Sequence, residues 1–159
     1  MKDSKEKTNV MRVLDQKKVS YNAYHYESEG ALSGVEAAKA INMPEEKMFK
    51  TLVTVGKSNE HYVFVIPVAK ELDLKAAANA AGEKNIEMIA QKELLPLTGY
   101  IHGGCSPFGM KKQFKTFIDS SAEAQEKIVF SAGKIGYQVE VAPEDLKKVI
   151  NFRYFDIAK

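Results

Sequence analysis

Tyr62-Val63-Phe64-Val65-Ile66 is apolar at every position, so whichever way these side chains alternate, both faces must be covered. Five such residues, bounded by His61 on one side and Pro67-Val68 on the other, read as a central strand buried on both faces. Just upstream, Gly56-Lys57-Ser58-Asn59-Glu60 has the composition of a hairpin loop. Met48 to Val55 before it alternates, with Phe49, Thr51, Val53 and Val55 on one face and Met48, Lys50, Leu52 and Thr54 on the other. The two strands therefore pair as an antiparallel hairpin near the middle of a sheet.

Outward from that hairpin, elements of both kinds follow without a regular alternation. Thr8 to Asp15 reads as a capped amphipathic helix, and Val19 to Tyr26 as a loosely alternating strand. Ser33-Gly34-Val35-Glu36 has capping-box spacing and opens a short helix to Ile41. Asp73 caps a helix that stops at Gly82, and Pro143-Glu144-Asp145-Leu146 opens another with proline in its first position. Ile86–Ile89, Thr116–Asp119, Lys127–Phe130 and Ile135–Val141 complete the set of strands. With no internal repeat or linker, residues 1–159 are expected to form one domain of the α+β class, its mixed or closed sheet carrying peripheral helices.

Composition bounds the function more loosely. Apolar residues make up 45 % of the chain and charged residues 28 %, the balance of an ordinary globular domain. A formal charge of +2 does not announce a nucleic-acid binder. No apolar run approaches the ~20 residues of a membrane helix. The charged stretch Met1–Lys7 has no apolar segment behind it, unlike a secretory signal. One cysteine, Cys105, precludes an internal disulfide, and a cytoplasmic location is expected.

The residues that could carry chemistry gather in three places. Gly99-Tyr100-Ile101-His102-Gly103-Gly104-Cys105-Ser106-Pro107-Phe108-Gly109 is glycine-rich and turned by a Ser-Pro, so it is either a tight connection or a loop whose amides face a small ligand. Lys50 interrupts an apolar strand face, where it must snorkel to an edge or occupy a partly enclosed pocket with its amine depressed by desolvation. Ser131-Ala132-Gly133-Lys134-Ile135-Gly136 is a second glycine-punctuated turn. If it meets the first, amides and a hydroxyl would surround a cavity suited to developing negative charge. Lys111, Lys112, Lys115 and Lys134 are either solvated surface or phosphate contacts to a nucleic-acid end beside that cavity. Cys105 and His102 permit a thiol-enzyme reading that their spacing does not compel. The three histidines are scattered and no metal-ligand spacing occurs.

Taken in order, Phe49-Lys50-Thr51-Leu52, Thr98-Gly99-Tyr100 with Gly103-Gly104-Cys105-Ser106-Pro107 and Gly109-Met110-Lys111-Lys112, Ser131-Ala132-Gly133-Lys134, and Val139 through Leu146 resemble the YbaK/EbsC family of aminoacyl-tRNA deacylases. These are relatives of the editing domain inserted in bacterial prolyl-tRNA synthetases. The resemblance runs from about Val10 to Asp156. It implies a mixed, barrel-like β-sheet surrounded by helices. It implies catalytic positions at Lys50, Gly103, Gly104 and Ser131, with Tyr26, Ser33, Ser106, Pro107 and Gly133 around the substrate. Tyr24 is the alternative to Tyr26. The implied activity is trans-acting release of cysteine from Cys-tRNA(Pro), and also from Cys-tRNA(Cys), with prolyl-tRNA synthetase as a partner in a ternary complex.

In such enzymes the substrate's own thiol attacks its ester carbonyl, without metal, cofactor or protein nucleophile, which leaves Cys105 a structural residue. Two departures stand out. The aromatic residue common before the early helix is absent near Leu32-Ser33, and the family's Ser-Gly-Gly turn carries Ala132 at its middle place. The alternatives are a deacylase for another misacylated tRNA such as Ala-tRNA(Pro), a non-catalytic module binding tRNA or synthetase, and a cysteine hydrolase using Cys105 and His102.

Overall fold

The computed structural model describes residues 7–159; the N-terminal reading at Met1–Lys7 falls almost wholly outside them. Five strands form a mixed sheet whose middle member is the all-apolar one. Strand β2 (Phe49–Gly56) and strand β3 (His61–Pro67) pair antiparallel with Phe49 opposite Pro67 and Val55 opposite His61. Strand β4 (Ile86–Met88) lies on the outer side of β2. Strands β5 (Lys115–Asp119) and β8 (Phe152–Phe155) continue the sheet from β3 in parallel, giving the order β4-β2-β3-β5-β8. A second, antiparallel sheet places β7 (Tyr137–Val141) between β1 (Asn22–His25) and β6 (Ile128–Ser131). A single parallel bridge, Met48 to Val129, links the two sheets.

Alternation along β3 explains the layering. Val63 and Val65 enter a large cluster with Phe49, Val53, Ile118, Phe130 and Val139, closed off by helix α1 (Asn9–Gln16) through Val10, Met11 and Leu14. Phe64 and Ile66 point the other way, onto Phe117, and helix α3 (Leu74–Ala81) covers them with Ala77 and Ala78. Helix α2 (Gly34–Ala40) caps a third cluster with Ala37 and Ala38 against Met48, Val68 and Val129. All four central residues of β3, Val63 to Ile66, are fully buried. Burying Phe64 and Ile66 contributes roughly 1.5–3 kcal/mol each.

The expected α+β class is the class observed, with helices packed around a mixed sheet. Three local expectations change. The early strand begins at Asn22 rather than Val19, because Lys18 takes a positive φ of 59° and Val19 donates its N–H back to Leu14. Helix α4 (Gln91–Thr98) occupies a stretch for which the sequence predicts no element. Pro96 reads as a breaker, yet it sits in the last turn of a short helix that ends at Gly99. Strand β8 is likewise unpredicted. Its alternating exposure marks an edge, and its register is set from outside, by Asp119 accepting from Ile157 N–H at 3.0 Å and Ala158 N–H at 3.1 Å. Among the described residues, no helix is long and apolar enough to cross a membrane. The short helix α5 (Pro143–Leu146) begins at its proline as expected.

Candidate functional site

The site lies beside the bridge that joins the two sheets. Two residues past Met48 and Val129 stand Lys50 on β2 and Ser131 at the end of β6, and both line one cavity. The cavity has a volume of about 370 Å³, and β7 presents to it Gln138, the partner of Ser131 across β6–β7. Tyr26, just past β1, Ser33 at the start of α2, Leu94 of α4 and the loop residues His102, Gly103 and Cys105 complete its walls. The two glycine-punctuated turns do meet. A Cβ on Gly104 would lie 3.3 Å from the backbone nitrogen of Ile135, a contact so tight that a side chain there would push the two turns slightly apart. At Gly103, φ is +89° and a Cβ would stand 2.5 Å from that of Ala31.

Lys50 is half-buried and forms no ion pair among the described residues. Burial pulls its amine below the usual lysine range, and the charge of Glu71 partly restores it. Among the described residues, no aspartate or glutamate lines the cavity. Ser131 Oγ accepts from Gly133 N–H at 3.1 Å, which fixes the hydroxyl and leaves its own proton to donate. Thr51 Oγ1, in the same wall, is buried with no hydrogen-bond partner among the described residues. Burial raises the phenol of Tyr26 and pushes the Cys105 thiol up to about 12, so at neutral pH the cysteine is not a thiolate. No hydrogen bond joins His102 to Cys105 among the described residues.

Of the residues singled out in the sequence, Lys50, Ser131, Gly103, Tyr26 and Ser33 line the cavity together. Ser33 is at the same time a helix cap, its Oγ accepting from Glu36 N–H at 3.1 Å. Gly104, Ser106, Pro107 and Gly133 stand behind the wall. Gly104 N–H donates to the Ile101 carbonyl at 2.9 Å, Ser106 is fully buried, and the Pro107 carbonyl accepts from Gln113 at 3.0 Å. Gly133 carries the positive φ of its turn, +94°, so Ala132 needs none and sits in the core. Tyr24 turns away from the cavity to donate to Glu140 at 2.9 Å. Lys111, Lys112 and Lys115 do not line this cavity. Sequence reasoning misses Gln138, only 4 % exposed, although a polar residue alternating with Val139 in an apolar strand signals a buried polar face.

A polar network outside the cavity lining joins β1, β7 and the approach to β2. Glu140, 6 % exposed on β7, accepts from Lys47 Nζ at 2.7 Å and from Asn22 and Tyr24 at 2.9 Å each. Burial opposes its charge, but these three donors prevail and hold the carboxyl at about 2. Lys47 lies three residues before Lys50, so this contact ties the start of β2 to the other sheet.

A small α+β fold that sets a desolvated lysine, fixed hydroxyls and glycine backbone around a cavity with no carboxylate among its described lining residues can bind and polarise a compact polar group. The comparisons with known proteins give that class a family. Residues 28–149 match the model of the aminoacyl-tRNA editing domain, and the chain belongs to that family. It is 45 % identical over 157 residues to EbsC of Enterococcus faecalis, named as a candidate Cys-tRNA(Pro)/Cys-tRNA(Cys) deacylase, across 98 % of this chain and 96 % of that one. YwhH of Bacillus subtilis, uncharacterised, is 24 % identical over 113 residues, covering 71 % of each chain. Among solved structures, a candidate trans-editing enzyme for prolyl tRNA synthetase superposes with a TM-score of 0.81 at 20 % identity, over 94 % of each chain. A hypothetical protein superposes at 0.83, also 20 % identical, over 94 % of this chain and 99 % of that one. These last two likenesses speak to fold alone.

Proposed function

We propose that the protein is a trans-acting deacylase that releases cysteine from Cys-tRNA(Pro), and from Cys-tRNA(Cys), by letting the substrate thiol attack its own ester. The observation that carries this reading is the cavity's inventory: a desolvated Lys50 beside Ser131 and Gly103, with no carboxylate among the described lining residues and a protonated Cys105. Such a site can hold an ester and stabilise charge but offers no thiolate or carboxylate nucleophile of its own. The nearly full-length likeness to EbsC points to the same substrates.

In this mechanism the substrate sulfur forms a bond to the ester carbonyl carbon, and the bond from that carbon to the ribose oxygen breaks. The thiol proton passes to the departing ribose hydroxyl, leaving free tRNA and a cyclic thiolactone. Lys50 holds the acyl-adenosine end, the backbone of Gly103 steadies the carbonyl oxygen, and the Ser131 hydroxyl donates to the ribose. Tyr26 and Ser33 close the wall around the aminoacyl group. Gly104, Ser106, Pro107 and Gly133 act indirectly, holding the loop and turn at their close approach. Thiol and carbonyl already belong to one molecule, so the site's share is to freeze the cysteinyl rotors in near-attack geometry and to stabilise the charge that develops on the carbonyl oxygen. A ternary complex with prolyl-tRNA synthetase would restrict the choice of tRNA. The test is release of labelled cysteine from Cys-tRNA(Pro) by the purified protein and by Lys50→Ala. Release at the wild-type rate by the variant contradicts the role of Lys50, and absence of release by the wild type contradicts the activity.

A further inference from the structure

A second cleft, of about 360 Å³, lies at the opposite end of β3 from the ester cavity. His61 opens β3 and lines this cleft, whereas Val68, one residue past the end of β3, lines the cavity. Six strand rises of ~3.3 Å put the two ends ~20 Å apart. The cleft is lined by Lys112 and Lys115 on one side and by Asn59, Glu60 and His61 on the other, with Phe114 between them. Phe114 organises the basic groups. Its ring lies 5.4 Å from the His61 ring, and Lys112 Nζ stands 5.9 Å from its centroid. Both lysines are exposed, and neither is in an ion pair among the described residues. Among the described residues, Glu60 is the single acid in the lining.

We infer that this cleft is an RNA-backbone site, in which Lys112 and Lys115 hold phosphates of the acceptor stem while the aminoacyl end occupies the cavity. The inference rests on the deacylase reading and adds to it the surface that grips the tRNA. A +2 chain has little global field with which to attract RNA, so affinity must come from local pairs of cations set at a distance the polymer spans. The segment between Gly103 and Lys115 runs from the wall of the cavity to the wall of the cleft, so a single loop borders both. A span of ~20 Å suits a single-stranded 3′ end leading into the first base pairs of a stem, and phosphate contacts of this kind position an RNA without reading its sequence.

The experiment compares the wild type, Lys112→Ala/Lys115→Ala, the charge-keeping Lys112→Arg/Lys115→Arg, and Lys75→Ala as a control on α3. Binding of an uncharged acceptor-stem hairpin with a single-stranded 3′ end is followed by fluorescence anisotropy at several salt concentrations. Cleavage is measured on Cys-tRNA(Pro) and on 3′-cysteinyl-adenosine. The alanine pair should weaken hairpin binding about tenfold and lower the log–log salt slope by ~1.4–1.8, at about 0.7–0.9 per phosphate. It should also lose about tenfold more kcat/KM on the full tRNA than on the adenosine ester. The arginine pair and Lys75→Ala should bind as the wild type does.

Unchanged hairpin binding and salt slope in the alanine pair would overturn the inference, as would an equal loss on the two esters. A loss seen only when prolyl-tRNA synthetase is present would also overturn it, by making the cleft a protein contact. If the hairpin results are as expected but neither the wild type nor any variant cleaves either ester, the deacylase reading has failed while the RNA site stands.

Discussion

Replacing Glu140 with glutamine removes the charge that holds the start of β2 to the second sheet, and the structure sets its size. The folded carboxyl sits at about 2 against an ordinary 4.5. At 1.36 kcal/mol per unit that difference amounts to about 3 kcal/mol of stability at neutral pH. Because the folded value is depressed, the contribution is complete above the unfolded value of 4.5 and is lost as pH falls toward 2. The side chain is 7 % exposed and its partner Lys47 28 %, so solvent screening is modest on the carboxylate side. Glutamine keeps an acceptor for Asn22 and Tyr24 but leaves Lys47 without its anion, so Glu140→Gln should cost about 2–3 kcal/mol at pH 7. For a chain of this length that corresponds to a fall in Tm of roughly 4–12 °C.

Urea denaturation of wild type and variant at pH 7, 4.5, 3 and 2 isolates the effect, since the other carboxylates titrate alike in both proteins. The gap in stability should be full at pH 7, begin to close below pH 4.5 and nearly vanish by pH 2. A gap that stays constant over that range, or that is absent at pH 7, would refute the assignment of the network.

Cys105→Ala should keep most of the cysteine-releasing activity, and iodoacetamide at pH 7.5 should modify the wild type slowly because the thiol is held protonated by burial. Rapid stoichiometric inactivation would instead make Cys105 a nucleophile. Gly103→Ala places a side chain at φ +89° against Ala31, and should cost roughly 1–3 kcal/mol in chemical denaturation together with most of kcat/KM. Wild-type behaviour there would show that the loop does not need its close approach. Phe64→Ala, at a fully buried position stacked 5.4 Å from Phe117, should lower stability by about 3–5 kcal/mol without a distinct effect on catalysis.

Much of the fold is legible in the chain because local rules and tertiary packing agree. The Ser33–Glu36 capping box, the Asp73 cap, the glycine stop at Gly82 and the apolar β3 run all occur where their chemistry demands. Helix α4 is not legible because an interior proline argues against it, and β8 because its pairing is set by Asp119 and β5, far away in sequence. The cavity shows the same divide. Lys50 announces itself as a cation in an apolar strand, and the close approach of the two turns can be posed as a condition but not decided. That Gly103 lines the cavity while Gly104 N–H is taken up by the Ile101 carbonyl is something no spacing reveals. Gln138 reads as one polar residue in a strand, and only its pairing with Ser131 brings it to the cavity.

The central claim is that the substrate's thiol does the work in a cavity that brings no thiolate or carboxylate of its own. Single-turnover deacylation of Cys-tRNA(Pro), Ser-tRNA(Pro) and Ala-tRNA(Pro) by the wild-type protein tests it most directly. Fast release of cysteine, capture of the thiolactone, and near-background rates with serine and alanine are the predicted result. Comparable rates on all three would contradict it.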